Sequence, residues 1–356
     1  MDKYYLGGII LDAFFSDIVK KVISNYPLEV NQRSLECIDN LKAECPFDTN
    51  FGEVLLKKVE IEKEYIDFMI YAIELLRDNG VYTPEILTTK LGDGFVKMND
   101  EHYMVFEAVN GRLPNIENED DLIMMISGIA TFHKASREIE ITNEQLPLVQ
   151  SDWQKELQNK YLTLTKWKEE RTKAKNPTEI DKLFLKNINT ILVQCEKSIT
   201  LIDKYYHAKE AEATASMKSL SCQNIENNNF SIGEDGNLYF LNMSKIKIEL
   251  PIHDIRRILY MAMKNEKTWS LSLMKKIIKS YQEINPLTCM LFKLLKAELM
   301  FPHLFYETFL AYYENKETNR VEASSVSMIK KNVALELSKE RVIYTFFTQS
   351  KEVLND

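Results

Sequence analysis

Leu220-Ser221-Cys222-Gln223-Asn224-Ile225-Glu226-Asn227-Asn228-Asn229-Phe230 is followed, twelve residues on, by Asn242 in Tyr239-Phe240-Leu241-Asn242. Two short apolar runs, Asn229 to Ile232 and Leu238 to Asn242, flank the turn-forming Gly233-Glu234-Asp235-Gly236 and predict a β-hairpin. The hairpin interrupts a region whose apolar spacing is otherwise helical: Asp120 to Ser136, Ser151 to Lys175, Pro177 to Tyr206 and Ala208 to Met217 before it, Pro251 to Met263 and onward after it. Asn176-Pro177 separates the second and third of these helices, because proline fits a helix's first turn and not its interior. Later breaks fall near Asn285-Pro286, Phe301-Pro302 and the polar stretch from Asn315 to Ser325, before a last helix from Ser325 to Ser350.

Upstream the pattern differs. A helix over Ile9 to Ser24 ends at Asn25-Tyr26-Pro27. Strands are predicted at Ser34 to Ile38, Leu41 to Cys45 and Glu53 to Val59, with turns at Asp39-Asn40 and at Asp48 to Gly52. A helix from Glu62 to Asn79 carries Ile66, Met69, Ile70, Ile73 and Leu76 at helical spacing and stops at Asn79-Gly80. Further strands flank Gly92-Asp93-Gly94, and His102 to Phe106 runs into Glu107-Ala108-Val109-Asn110-Gly111. The expected class is α+β, with a helix over 1–26, a small mixed lobe over 27–109 built on an antiparallel sheet, and a large, mainly helical lobe over 110–356.

Composition excludes several roles. With 356 residues and 45% of them hydrophobic, the chain has enough apolar material for two lobes. A net charge of −8 opposes a general role on nucleic acid or anionic lipid, which are held by clustered Lys and Arg. No run is long and apolar enough to span a bilayer, and the Tyr4 to Phe15 stretch lacks the features of a signal peptide, so synthesis and retention in the cytosol are expected. The five cysteines form no C-x-x-C pair and the five histidines are dispersed, so no metal site is expected.

The order of strand lobe, linker, helical lobe and hairpin resembles the aminoglycoside-phosphotransferase and choline-kinase branch of the protein-kinase-like fold. Within that branch the chain is most similar to the CotS-type spore coat proteins of endospore-forming bacteria. The pieces that carry the resemblance are Leu55-Leu56-Lys57-Lys58, Ala72 to Gly80, Phe106 to Gly111, Met300 to Tyr306 and Tyr312-Tyr313. It implies that Lys57 is the strand lysine that holds nucleotide phosphates and that Glu64 or Glu62 is its carboxylate partner. Glu107 and Val109 fall on the linker backbone that would meet an adenine edge, and Asp254 on the aspartate that steadies the catalytic loop. Each has a plainer reading: an edge-strand lysine, and an acid favoured in a helix's first turn.

The same resemblance places a catalytic loop at 220–229 and a metal-position hairpin at 230–243, and there the chain departs from the pattern. Cys222 stands at the histidine position, Asn224 at the catalytic aspartate and Asn242 at the metal-binding aspartate; Asn229 matches the second metal position, where asparagine is usual. Phosphoryl transfer needs a carboxylate to orient the acceptor and hard anionic oxygens to hold Mg²⁺. An amide supplies neither. Among nearby acids, Glu226 is within reach by sequence, but the resemblance implies that its position faces the substrate side rather than the γ-phosphate, while Glu249 and Asp235 are expected in a loop and a turn as solvated acids. The loop Ile38-Asp39-Asn40 has no glycine to close over phosphates. Cys222 reads as a buried packing residue.

The expectation is a catalytically inactive pseudokinase, with no cofactor, acting as a structural or assembly component of the spore coat. Its partners would be other coat proteins, after synthesis in the mother-cell cytoplasm; all of this is implied by the resemblance. The alternative is an active or ATP-binding small-molecule kinase of the aminoglycoside or choline type, with ATP and Mg²⁺. The aromatic stripe Phe301, Phe305, Phe309, Tyr312 and Tyr313 is read as core.

Overall fold

Alternation along Val54, Leu56 and Val105 sends apolar side chains to one face of a sheet, and helical residues at 18–23 cover that face. The computed structural model describes residues 18–30, 44–139, 153–205, 219–223, 225, 227–314 and 323–349. The expected strand at Ser34 to Ile38, the first three residues of the one expected at Leu41 to Cys45, the loop Ile38-Asp39-Asn40, the helix at Ala208 to Met217, and Asn224 and Glu226 lie outside the described residues.

The chain divides into two units, neither of them continuous: Met1–Pro114 with Glu138–Leu146 and Glu226–Ile246, and Asn115–Arg137 with Pro147–Ile225 and Lys247–Asp356.

In the first unit, β1 (Glu44–Thr49), β2 (Gly52–Val59), β5 (Glu101–Glu107) and β3 (Ile86–Leu87) lie in the order β1-β2-β5-β3, with β4 (Val96–Met98) also on β5; all pairs are antiparallel. Central β5 is buried along most of its length, as a strand covered on both faces must be. On one face Tyr103 and Val105 join Ile18, Val19, Val22, Tyr26 and Phe47. Helix α1 (Lys63–Asp78) buries Ile66, Met69, Ile73 and Leu76 along one stripe and ends where Gly80 takes the left-handed conformation.

A second sheet, β6 (Gly111–Arg112), β8 (Phe230–Gly233) and β9 (Leu238–Phe240), holds the hairpin in this same unit. The sequence groups that hairpin with the helical lobe. It groups by contact with the first unit because Gly111 and Arg112 pair with Gly233 and Ile232, and because the Phe240 N–H donates to the Tyr82 carbonyl at 2.9 Å. Gly111 has to be glycine: a Cβ there would collide with the Ile232 carbonyl oxygen, and would lie 2.9 Å from Gly233 Cα.

The second unit is mainly helical: α2 (Glu119–Ala135), α3 (Trp153–Thr172), α4 (Glu179–Tyr205), α5 (Ile252–Met263), α6 (Leu271–Ile284), α7 (Cys289–Met300), α8 (His303–Glu314) and α9 (Ala323–Gln349). Starts are marked by Asn118, Ser270 and Thr288, whose side chains accept from the first-turn N–H groups of α2, α6 and α7. Helix α3 packs on α4, α4 on α7, and α2 on α6. Phe301, Phe305 and Phe309 are fully buried, and Phe184 packs against the last two with ring centroids 5.7 and 4.9 Å away; Tyr312 and Tyr313 are half-buried. Three-residue strands β7 (Ser219–Ser221) and β10 (Lys247–Glu249) pair antiparallel, an element the sequence did not announce. No helix among the described residues is long and apolar enough to cross a membrane.

Gly111→Ala tests the close approach of β6 to β8. It is expected to cost about 1–3 kcal/mol of stability, read as a lower urea midpoint.

Candidate functional site

In the first unit, Lys57 and Phe106 sit on adjacent strands with their side chains on the face opposite the Val54, Leu56 and Val105 core. That placement follows from the two-residue period: Lys57 pairs in register with Met104, so Phe106 is its diagonal neighbour. The ammonium lies 5.6 Å from the centre of the Phe106 ring and donates to the Leu241 carbonyl at 3.2 Å. Lys57, Phe106, Met69 and Ile73 of α1, and Phe240 to Lys245 after β9 enclose a cavity of about 400 Å³. The structure thus brings Lys57 and Asn242, expected on different parts of the chain, into one site.

Asn242 lines that cavity with its side-chain oxygen already engaged. Its Oδ1 accepts from the Ser244 N–H at 3.0 Å and from the Ser244 hydroxyl at 2.7 Å. This is an Asx turn, the local bond that an asparagine two residues before a serine favours. An oxygen accepting a main-chain N–H must be the carbonyl, so the group left over is the Nδ2 amide, a donor. Asn229 is buried at the end of the loop, and its carbonyl accepts the Leu241 N–H at 2.9 Å, which fastens the loop's end to the hairpin.

Other expected members fall elsewhere. Neither Glu64 nor Glu62 lines the cavity with Lys57. The helix period explains why: α1 begins at Lys63, and Met69 and Ile73 take the cavity face while Glu64, about half a turn away from Ile73, is exposed. Glu62 is the N-cap residue of α1 and lines a neighbouring cavity with Lys58, Glu101 and His102. Lys58 is held there by Glu101 at 2.5 Å. Glu107 and Val109 also lie outside the cavity with Lys57; the Glu107 N–H donates to the Glu85 carbonyl at 2.9 Å and the Ala108 N–H to Glu53 at 3.0 Å.

In the second unit the loop after β7 hangs on Asp254, which sits in the first turn of α5 with 0% exposure. Its Oδ1 accepts from the Ser221 hydroxyl at 2.8 Å and from Arg257 at 2.6 Å; its Oδ2 accepts from the Cys222 N–H at 3.0 Å and lies 3.1 Å from His133 Nε2. Because the carboxylate can only accept, Nε2 of His133 faces it as N–H, while Nδ1 lies 2.9 Å from the Tyr281 hydroxyl, which accepts from the Asn285 amide. Burial alone would raise the Asp254 pKa, but the His133 hydrogen bond and the Arg257 charge hold it well below the usual carboxylate range. Both readings of Asp254 are compatible with this place, since a first-turn acid also suits the helix dipole.

Arg257 also reaches Glu249 at 2.8 Å. Glu249, expected as a solvated loop acid, is instead in β10 and 2% exposed. Its burial is tolerable because the guanidinium neutralises it. Gln223 has φ +57°, a left-handed conformation held by its N–H on the Ser221 hydroxyl at 3.2 Å and its side chain on Arg257. Cys222 is buried, its Sγ 3.5 Å from Asp254; burial, then the carboxylate's charge, pushes the thiol well above its ordinary pKa, which leaves it a packing group. His133, Ser221 and Tyr281 were not singled out in the sequence. A lone histidine on the apolar face of α2 was the one available signal.

Residues 23–346 match the family model described as "Spore coat putative kinase YutH". Spore coat protein S of Bacillus subtilis (strain 168) is 21% identical over 334 residues, spanning 91% of this chain and 92% of that protein. An aminoglycoside phosphotransferase from Alicyclobacillus acidocaldarius superposes with a TM-score of 0.77 at 15% identity, covering 94% of this chain and 96% of that one. A spectinomycin phosphotransferase solved with ADP and spectinomycin gives 0.59 at 10% identity, covering 93% and 97%. At these identities the structural likeness establishes the fold: the protein-kinase-like fold of the aminoglycoside phosphotransferases.

Asp254→Asn should leave Arg257 and Glu249 in a broken network and cost about 3–5 kcal/mol, measured by urea unfolding. Because the Asp254 pKa is lower folded than unfolded, its contribution is complete above the ordinary value of 3.8. It is lost as pH falls below that value toward the depressed one, so the wild type should lose stability more steeply than Asp254→Asn through that acid range.

Proposed function

This chain belongs to the YutH family of spore coat kinase-like proteins, and from that membership together with Asn224 and Asn242 we propose that it is a pseudokinase, a phosphotransferase scaffold without catalysis that serves as a structural or assembly component of the bacterial spore coat. It is made in the mother-cell cytoplasm, and its partners are other coat proteins. The name of the relative in Bacillus subtilis supports the location.

One observation carries the loss of chemistry. The side-chain oxygen of Asn242, at the position where phosphotransferases place a metal-binding aspartate, is occupied by Ser244. Mg²⁺ is drawn out of water by anionic oxygens in near-octahedral array, and a neutral carbonyl already accepting two hydrogen bonds competes poorly with water. These residues do not fit a magnesium ion. By the resemblance Asn224 puts an amide at the position of the carboxylate that orients an acceptor hydroxyl, and an amide cannot take its proton. The retained Asp254 network supports a fold kept for its shape.

The alternative, an active or ATP-binding small-molecule kinase, is favoured by the cavity that Lys57 lines. Thermal unfolding with Mg-ATP separates the two. A nucleotide at a hundred times its Kd would add about 2.7 kcal/mol of stability. No shift and no product from labelled ATP are expected for the wild type; phosphorylated product formed in step with ATP loss would overturn the pseudokinase reading. Asn224→Asp with Asn242→Asp is expected to gain Mg²⁺ binding, measured by calorimetry.

A further inference from the structure

We propose that two histidines on the buried carboxylate of Glu298 form an acid-sensitive clasp in the helical unit. Glu298 holds the charge of protonated His253 and has no room for that of protonated His303, so mild acid frees the start of α8 from α7 and α5. This holds whether or not the chain transfers phosphate.

Glu298 sits in α7 and is 1% exposed. Its Oε1 accepts from Arg256 Nε at 2.8 Å and lies 3.1 Å from His253 Nδ1, while its Oε2 accepts from Trp153 Nε1 at 2.9 Å. Because a carboxylate only accepts, Nδ1 of His253 faces it as N–H. His303, the first residue of α8, comes third to the same oxygen. It is 3% exposed and its Nε2 is 3.4 Å from Oε1, yet neither ring nitrogen makes a hydrogen bond among the described residues. A buried polar side chain without a partner is uncommon in a folded protein, and imidazole is the side chain whose charge changes just below neutral pH.

The charged groups around the cluster are already matched. On α3, Lys160 pairs with Glu156 at 2.6 Å; on α9, Lys339 pairs with Glu336; Arg257 of α5 reaches Glu249 of β10 at 2.8 Å. Glu298 and Arg256 remain, one charge of each sign. A proton on His253 therefore gives the cluster one excess positive charge, and a proton on His303 as well gives it two, with little water to screen them. The two rings diverge accordingly. Burial opposes charge on both, but the carboxylate of Glu298, then that of Glu249, raises the His253 pKa, whereas burial, then the Arg256 charge, holds His303 well below the ordinary imidazole value of 6.5. Since the His303 pKa is lower folded than unfolded, its contribution to stability is complete above 6.5 and is lost as pH falls below it. The raised pKa of His253 acts with the opposite sign: its contribution is present below 6.5 and is lost as pH rises through the folded value. Of the two, only His303 can loosen the fold in acid.

Hydrogen–deuterium exchange of the full chain, with rates corrected for the intrinsic effect of pH, reads the opening of α8. From about pH 7.5 to about pH 5.5 the opening constant along α8 is expected to rise about tenfold, the factor by which a group of pKa about 6.5 favours a solvated state one unit lower. Strand β5 of the first unit should show no such rise. His303→Asn and His303→Phe, two neutral replacements of different size, should abolish it, and thermal midpoints near that of the wild type establish that they fold. An unchanged opening constant in the wild type, a rise of equal size in a folded variant, or an equal rise in β5 would each overturn the clasp. Where neither variant folds, the contrast between α8 and β5 in the wild type decides.

Discussion

The buried carboxylate of Asp254 is the constraint on which the helical unit's loop depends. One side chain without access to water satisfies a hydroxyl, a main-chain N–H, a guanidinium and an imidazole, drawn from β7, the loop after it, α5 and α2. A lone ionised carboxylate in such a place would be costly; four donors make it the point where otherwise separate elements are tied. The tie is directional, so it fixes where the chain at 221–223 runs, including the left-handed Gln223. What the network provides is positional accuracy for the chain at 221–223.

Asp254, Asn229 and Lys57, which the sequence resemblance singles out, each have a definite set of contacts in the structure. Asn242 spends its side-chain oxygen on a local bond to Ser244 and so serves as a turn residue. An aspartate there could make the same turn, so the turn does not by itself require an amide.

Much of the fold was legible in the sequence. Helix α1 and strands β2 and β5 show the 3.6- and two-residue periods clearly, and Asn79-Gly80 marks a stop that the structure places within a residue. Strands β7 and β10 were not legible, because three residues are too few for a period to emerge and their pairing joins positions nearly thirty residues apart. That same omission put Glu249 in a loop. The site was legible only where a residue type and its order in the chain carry the resemblance, as with Lys57 and Asp254. Partners on distant helices, such as His133 and Tyr281, leave no local pattern. Glu64 was misplaced because chain order alone does not say which side of a helix a residue takes. The Asx turn was legible in principle, since Asn242-Met243-Ser244 has its spacing.

The hairpin's membership of the first unit bears on how the polypeptide is made. Its strand β8 supplies the partner that β6 needs, and Leu241 supplies the carbonyl that Lys57 reaches, yet the hairpin is translated only after α2, α3 and α4. On the ribosome the first unit therefore waits, its sheet formed but its second layer incomplete, until residue 246 has emerged. A nascent chain halted anywhere before that point carries an unfinished unit, in which β6 still lacks the strand that it pairs with.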